Sequence, residues 1–130
     1  LNKTAVRLMA GLEINRVTKL MRRPANDPVT DFRELAEIIE ATFGLVKAEF
    51  MDFDISLSKK NLMKGRFNKC FAHTGISKYG LIDSYECGIV ERIKGWLDGL
   101  KVSYIMEPDF TGCLMHQQNL CEIFFRFDLG

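Results

Sequence analysis

The sequence is poor in the features that mark whole classes of protein. Three prolines and ten glycines in 130 residues exclude a collagen-like repeat and a low-complexity disordered chain. No apolar run approaches the ~20 residues that a membrane-spanning helix needs. The N-terminus is too mixed for a secretory apolar region. Charge imbalance is almost nil, because 18 Lys+Arg against 17 Asp+Glu leave +1. Nucleic acids and anionic membranes are bound by a basic field, so neither is an expected partner. The sequence contains no phosphate loop, no dinucleotide fingerprint, no HExxH and no GxSxG.

What is present is ordinary for a globular domain: 47% hydrophobic and 27% charged residues. The length suits a single domain over residues 1–130. Residues 3–22 are rich in helix formers, with Leu8, Met9, Leu12, Val17, Leu20 and Met21 at mostly helical spacing. Arg22 and Arg23 suit the last turn of that helix, where cations meet the negative dipole end; a phosphate contact is the sharper alternative. A second helix is expected from about Thr30 to Phe43. Asp31 and Glu34 have capping-box spacing, Phe32, Leu35, Ile38, Ile39 and Phe43 make one stripe, and Gly44 is its expected stop.

Alternation then replaces helical spacing. In Met51 to Leu57, apolar residues alternate with Asp52, Asp54 and Ser56, the pattern of a strand with one wet face. Ser58-Lys59-Lys60-Asn61 reads as a turn, and a second strand covers about Leu62 to Phe71. The clearest helix runs from about Ser84 to Leu100, capped by Asp83 and Glu86, with Ile89, Ile93, Trp96, Leu97 and Leu100 on one stripe. Gly88, Gly95 and Gly99 cluster on the other side, either as a smooth face for close backbone approach or as glycines on a solvated surface. Strands follow at Val102 to Met106 and Cys121 to Phe127, the last with Cys121, Ile123, Phe125 and Phe127 on one face and Phe124 on the other. The order α-α-β-β-α-β-β predicts an α+β fold: a mainly antiparallel four-stranded sheet packed with about three helices.

Four cysteines lie in the C-terminal half: Cys70, Cys87, Cys113 and Cys121. Nothing looks secreted, so they are read as reduced thiols in a cytoplasmic protein. A reduced cysteine is commonly a small buried hydrophobe, which suits Cys121 beside Ile123. Cys87 fits that role less well, because it lies off the apolar stripe near a helix start, where the dipole favours thiolate. Thiolates there, in the Cys113 turn and at Cys121 could converge on one soft ion, with tetrahedral zinc the usual occupant. Cys70 and His73 are a conceivable nucleophile pair, with Asp83 or Glu86 as a third member, although both acids already serve as a helix cap. Phe67, Phe71, Trp96, Tyr104, Phe125 and Phe127 could line an apolar pocket between helix and sheet, or simply fill a core.

The stretch from Cys70 through Tyr85-Glu86-Cys87-Gly88 to Gly112-Cys113-Leu114-Met115-His116-Gln117-Gln118-Asn119-Leu120-Cys121-Glu122-Ile123 resembles the C-terminal half of the 4-vinyl-reductase-like small-molecule-binding domains. The resemblance covers roughly residues 62–128. It implies a non-catalytic α+β domain that binds a small apolar ligand, forms a homodimer and carries a structural zinc. In that family three zinc ligands are cysteines spaced as Cys87, Cys113 and Cys121 are here. The family's fourth, acidic ligand falls at Phe110, so Cys70 becomes the expected fourth ligand, with Asp109 or His116 in reserve. A second resemblance, to hydrolases acting on 2-aminothiazoline-4-carboxylate, implies an enzyme instead. The Leu8, Met9 and Leu12 face of the first helix also wants a neighbour, and a homodimer centred there is expected.

Overall fold

The computed structural model describes residues 3–23, 28–46, 52–69, 78, 88–108 and 121–129. Its elements are α1 (Lys3–Leu20), α2 (Phe32–Val46), β1 (Asp52–Ser56), β2 (Leu62–Lys69), α3 (Gly88–Gly99), β3 (Ser103–Glu107) and β4 (Cys121–Asp128). The fold is α+β, and the four strands form one antiparallel sheet in the order β1-β2-β4-β3. The chain divides into two compact units. Of the described residues, a sheet unit holds 52–69, 78, 105–108 and 121–126; a helical unit holds 3–23, 28–46, 88–104 and 127–129.

In the sheet unit, β1 and β2 form a hairpin whose turn is set by Asn61, at φ 60°, and by the Leu62 N–H donating to the Lys59 carbonyl. Ile55 stands opposite Gly65, and Ser56 opposite Lys64. Next along the sheet, Met63 pairs with Phe125, Lys64 with Phe124 and Phe67 with Cys121. Alternation sorts these side chains as the sequence pattern requires. Met63, Phe67, Cys121, Ile123 and Phe125 are buried, while Asp54, Ser56, Arg66 and Arg126 are exposed.

The helical unit departs from the pattern at α1. Its buried residues are Ala10, Ile14 and Val17, whereas Leu8, Met9, Leu12 and Leu20 are each about 70% exposed. Of the six apolar positions that marked this helix in the sequence, only Val17 is buried. The reason lies in α3. A Cβ at Gly95 would stand 2.5 Å from the Ala10 Cβ and 2.8 Å from the Arg7 carbonyl oxygen. One at Gly99 would stand 2.6 Å from Ile14 Cγ2 and 3.3 Å from Gly11 Cα. The glycines therefore serve close backbone approach within this chain. A neighbour at that distance accepts only small residues or a well-placed Ile, so the large aliphatics fall on the opposite face.

The other helices follow most of their stripes. Leu35, Ile38, Ile39 and Phe43 of α2 are buried and Phe32 is half-buried; Ile93, Trp96 and Leu97 of α3 are buried, but Ile89 is half-buried and Val90, off the expected stripe, is buried beside it. Fully burying one such aliphatic or Phe side chain contributes roughly 1.5–3 kcal/mol. Phe43 meets Trp96 edge-on, with centroids 5.1 Å apart, and Phe32 lies 6.3 Å from Phe127. Asp31 caps α2, its Oδ2 accepting from the Glu34 N–H at 3.4 Å. Gly44 does not end that helix, which runs on to Val46. Both α1 and α3 close with a reversed last turn. Arg23 N–H donates to the Thr18 carbonyl and Val102 N–H to the Leu97 carbonyl, with Arg22 and Lys101 in the left-handed region at φ 59°. The basic pair lies just past the last turn, which ends at Leu20 and holds Lys19: Arg22 reverses the chain, and the Arg23 guanidinium pairs with Glu34 of α2.

Candidate functional site

The close approach of α1 and α3 brings two charged groups into register. Arg7 Nε donates to Glu91 Oε2 at 2.6 Å, and Asp98 lies 3.6 Å from the same guanidinium. Glu91 is buried and also has Lys94 at 3.9 Å. Further along α1, one Glu13 oxygen accepts from Arg92 Nε at 2.9 Å and from the Trp96 indole N–H at 2.6 Å; the other accepts from Arg92 Nη2. Arg92 also stands 5.8 Å from the Trp96 ring centroid.

This seam shifts proton affinities in the expected directions. The Arg92 hydrogen bonds hold the Glu13 carboxyl below its ordinary range, against the opposing effect of burial and with help from Trp96. Arg92 and Arg7 hold their protons more firmly, through hydrogen bonds to Glu13 and Glu91 respectively. Burial, then the charge of Asp98, pushes the Tyr104 phenol up, so it stays protonated at neutral pH. Each carboxylate here already meets a cation, and the arrangement acts as a clamp between helices. The clamp leaves no local signal in the sequence: Arg92 and Trp96 lie four apart on α3, but Glu13 reaches them only once the glycines set α3 against α1.

The residues singled out from the sequence are distributed as follows. Phe67 and Phe125 are buried in the sheet unit, where Phe67 stands opposite Cys121. Trp96, Phe127 and the half-buried Tyr104 belong to the helical unit, with Trp96 against Phe43 and Phe127 near Phe32. Phe71 lies outside the described residues. Of the four expected zinc ligands, Cys121 is a buried thiol at the start of β4; Cys70, Cys87 and Cys113 lie outside the described residues. His73, His116, Asp83, Glu86 and Asp109 lie outside them too. Among the described residues no group of three or more His, Cys, Asp or Glu side chains is placed to hold a metal. Among them, also, no helix is long and apolar enough to cross a membrane.

The most distinctive exposed feature of the helical unit is the outer face of α1. Leu8, Met9, Leu12 and Leu20 fall on one side at 100° per residue, opposite the side that carries Ala10, Ile14 and Val17. The helix thus carries large aliphatic side chains on two faces, one spent on α3 and one open, where Arg16 and Lys19 are interleaved with them. No family model, curated protein or solved structure matches the chain.

Proposed function

We propose that this chain is a cytoplasmic binding domain without chemistry of its own, which holds a small apolar ligand and works as a homodimer paired through α1. The observation that carries the proposal is the second apolar face of α1. Four large aliphatic side chains about 70% exposed offer roughly 400 Å² of apolar surface per copy, taking about 100 Å² each. Two copies with their flanking residues reach the ~1,000 Å² of a specific interface.

A second copy suits this face in one orientation. The 18 residues of α1 span ~27 Å. In an antiparallel pair centred on Leu12, Arg16 faces Leu8 of the second copy and Lys19 faces Ala5, so no like charges meet. A parallel pair would set Arg16 and Lys19 against themselves. The ion pairs of the α1–α3 seam also support the reading, because they commit charged groups to scaffolding.

The 4-vinyl-reductase-like resemblance supports the ligand and the zinc. Cys121 fits a zinc site as a buried thiol and equally fits a core position, so metal content decides between them. Native mass spectrometry of the purified chain tests the whole reading. It should show a dimer mass, a retained small molecule and one zinc per chain. A bare monomer without ligand would overturn it.

A further inference from the structure

The outer face of the sheet unit carries a feature that neither the apolar ligand nor the pairing of α1 uses. A half-open hollow of about 400 Å³ lies at the β1–β2 turn, lined by Ser56, Ser58, Lys59, Leu62, Lys64 and Phe124. That volume falls within the range of small-molecule sites. The fold builds it in a simple way. Ser56 of β1 stands opposite Lys64 of β2, which stands opposite Phe124 of β4, so three side chains form a row across three strands. Leu62 sits two residues from Lys64 on the same face, and the turn brings Ser58 and Lys59 over the end of the row.

The lining has two chemical halves. Phe124 and Leu62, both half-buried, form an apolar floor. The rim consists of two ammonium groups and two hydroxyls, with Ser56 Oγ and Ser58 Oγ 3.0 Å apart. Lys64 Nζ is 3.4 Å from Glu122 Oε2 and 5.9 Å from the Phe124 ring centroid, so its charge is largely answered. Among the described residues the exposed Lys59 ammonium has no ion-pair partner. Lys64 and Glu122 offset each other, and Lys59 leaves the rim one positive charge in excess.

We infer that this hollow binds an aromatic or similarly flat apolar group bearing one anionic substituent, carboxylate or phosphate. The ring rests on Phe124 and Leu62. The anion is held by Lys59 and by the Ser56 and Ser58 hydroxyls. A neutral aromatic would leave Lys59 unanswered, and a bare inorganic anion would leave the apolar floor wet.

Titration of the full chain with phenyl phosphate, inorganic phosphate and benzyl alcohol, followed by amide NMR, tests the inference. Phenyl phosphate should saturate below about 10 mM and move the signals of residues 56–64 and 124, while each fragment binds at least about tenfold more weakly. Lys59→Gln, an exposed turn position, should weaken phenyl phosphate about fivefold. Phe124→Leu keeps an apolar residue at that point and should weaken it about threefold, with an unchanged thermal midpoint showing that the fold persists. Leu12→Glu in α1 should leave this binding untouched, which separates its failure from failure of the pairing. Absence of saturation, or binding that neither Lys59→Gln nor Phe124→Leu alters, would overturn it.

Discussion

Gly95→Ala adds one methyl group at the tightest point between α1 and α3. That carbon would lie 2.5 Å from the Ala10 Cβ, 2.8 Å from the Arg7 carbonyl oxygen and 3.1 Å from Arg7 Cα. Carbon atoms rest at about 3.5–4.0 Å, so the helices must part by roughly 1 Å. Two of the three obstructing atoms are backbone and cannot rotate away. Parting the helices stretches the 2.6 Å Arg7–Glu91 contact and loosens Trp96 from Glu13. Overpacking of this kind costs about 3 kcal/mol, at the upper end of its usual range. Replacing a helical Gly by Ala returns about 1 kcal/mol. The net loss is about 2 kcal/mol, or a fall of about 6–10 °C in Tm for a chain of this size. The control is the same exchange on the facing helix: a Cβ at Gly11 meets nothing within 4 Å. Gly11→Ala should therefore stabilise by up to about 1 kcal/mol. Thermal and urea unfolding of the two variants read the comparison. If Gly95→Ala proved as stable as Gly11→Ala, the close-approach account of the glycines would be wrong.

Lys101→Gly should stabilise by about 0.5–1 kcal/mol in urea unfolding, because Lys101 holds a left-handed φ that glycine adopts without strain; a loss would contradict the reversed-turn reading. Glu13→Gln should cost about 1 kcal/mol at neutral pH, since it removes the charge that Arg92 answers. The pH dependence has a definite sign: Glu13 titrates lower in the folded chain, so its contribution is complete above its ordinary value of 4.5 and is lost as pH falls through the lowered folded value. Urea midpoints between pH 3 and pH 6 should accordingly fall less steeply toward acid in Glu13→Gln than in the wild type. Elemental analysis should find about one zinc per chain, released by Cys121→Ser; a metal-free, folded wild type would leave Cys121 as a core thiol.

Much of the architecture was legible because burial imposes simple periods. β4 alternates cleanly, so Cys121, Ile123, Phe125 and Phe127 could be assigned inward and Phe124 outward from sequence alone. The stripe of the helix before β3 was nearly as plain: Ile93, Trp96, Leu97 and Leu100 are buried as it implies, while Ile89 is half-buried and Val90 takes the buried place. α1 misled for a physical reason. Periodicity weights large side chains, whereas the closest approach to α3 is made by the Ala10 side chain and the Gly11 backbone, beside Ile14. The larger residues advertise the open face instead. The clamp of Glu13, Arg92 and Trp96 was illegible because it depends on how two distant helices meet, with 79 residues separating Glu13 from Arg92. The hairpin hollow was hidden similarly: Ser56, Lys64 and Phe124 become neighbours only through strand register.

Multi-angle light scattering of the wild type and of Leu12→Glu, across micromolar concentrations, tests the central claim most directly. Leu12 is 71% exposed within the chain, so the substitution should change the stability of one copy by less than about 0.5 kcal/mol. Across a two-fold axis it sets two carboxylates against each other at the centre of the contact. A penalty of about 2 kcal/mol or more weakens pairing at least about thirtyfold. The account predicts a wild-type dimer and a Leu12→Glu monomer with the same thermal midpoint at matched protomer concentration once the dimer is diluted apart. A monomeric wild type, or a dimer that Leu12→Glu leaves intact, would contradict it.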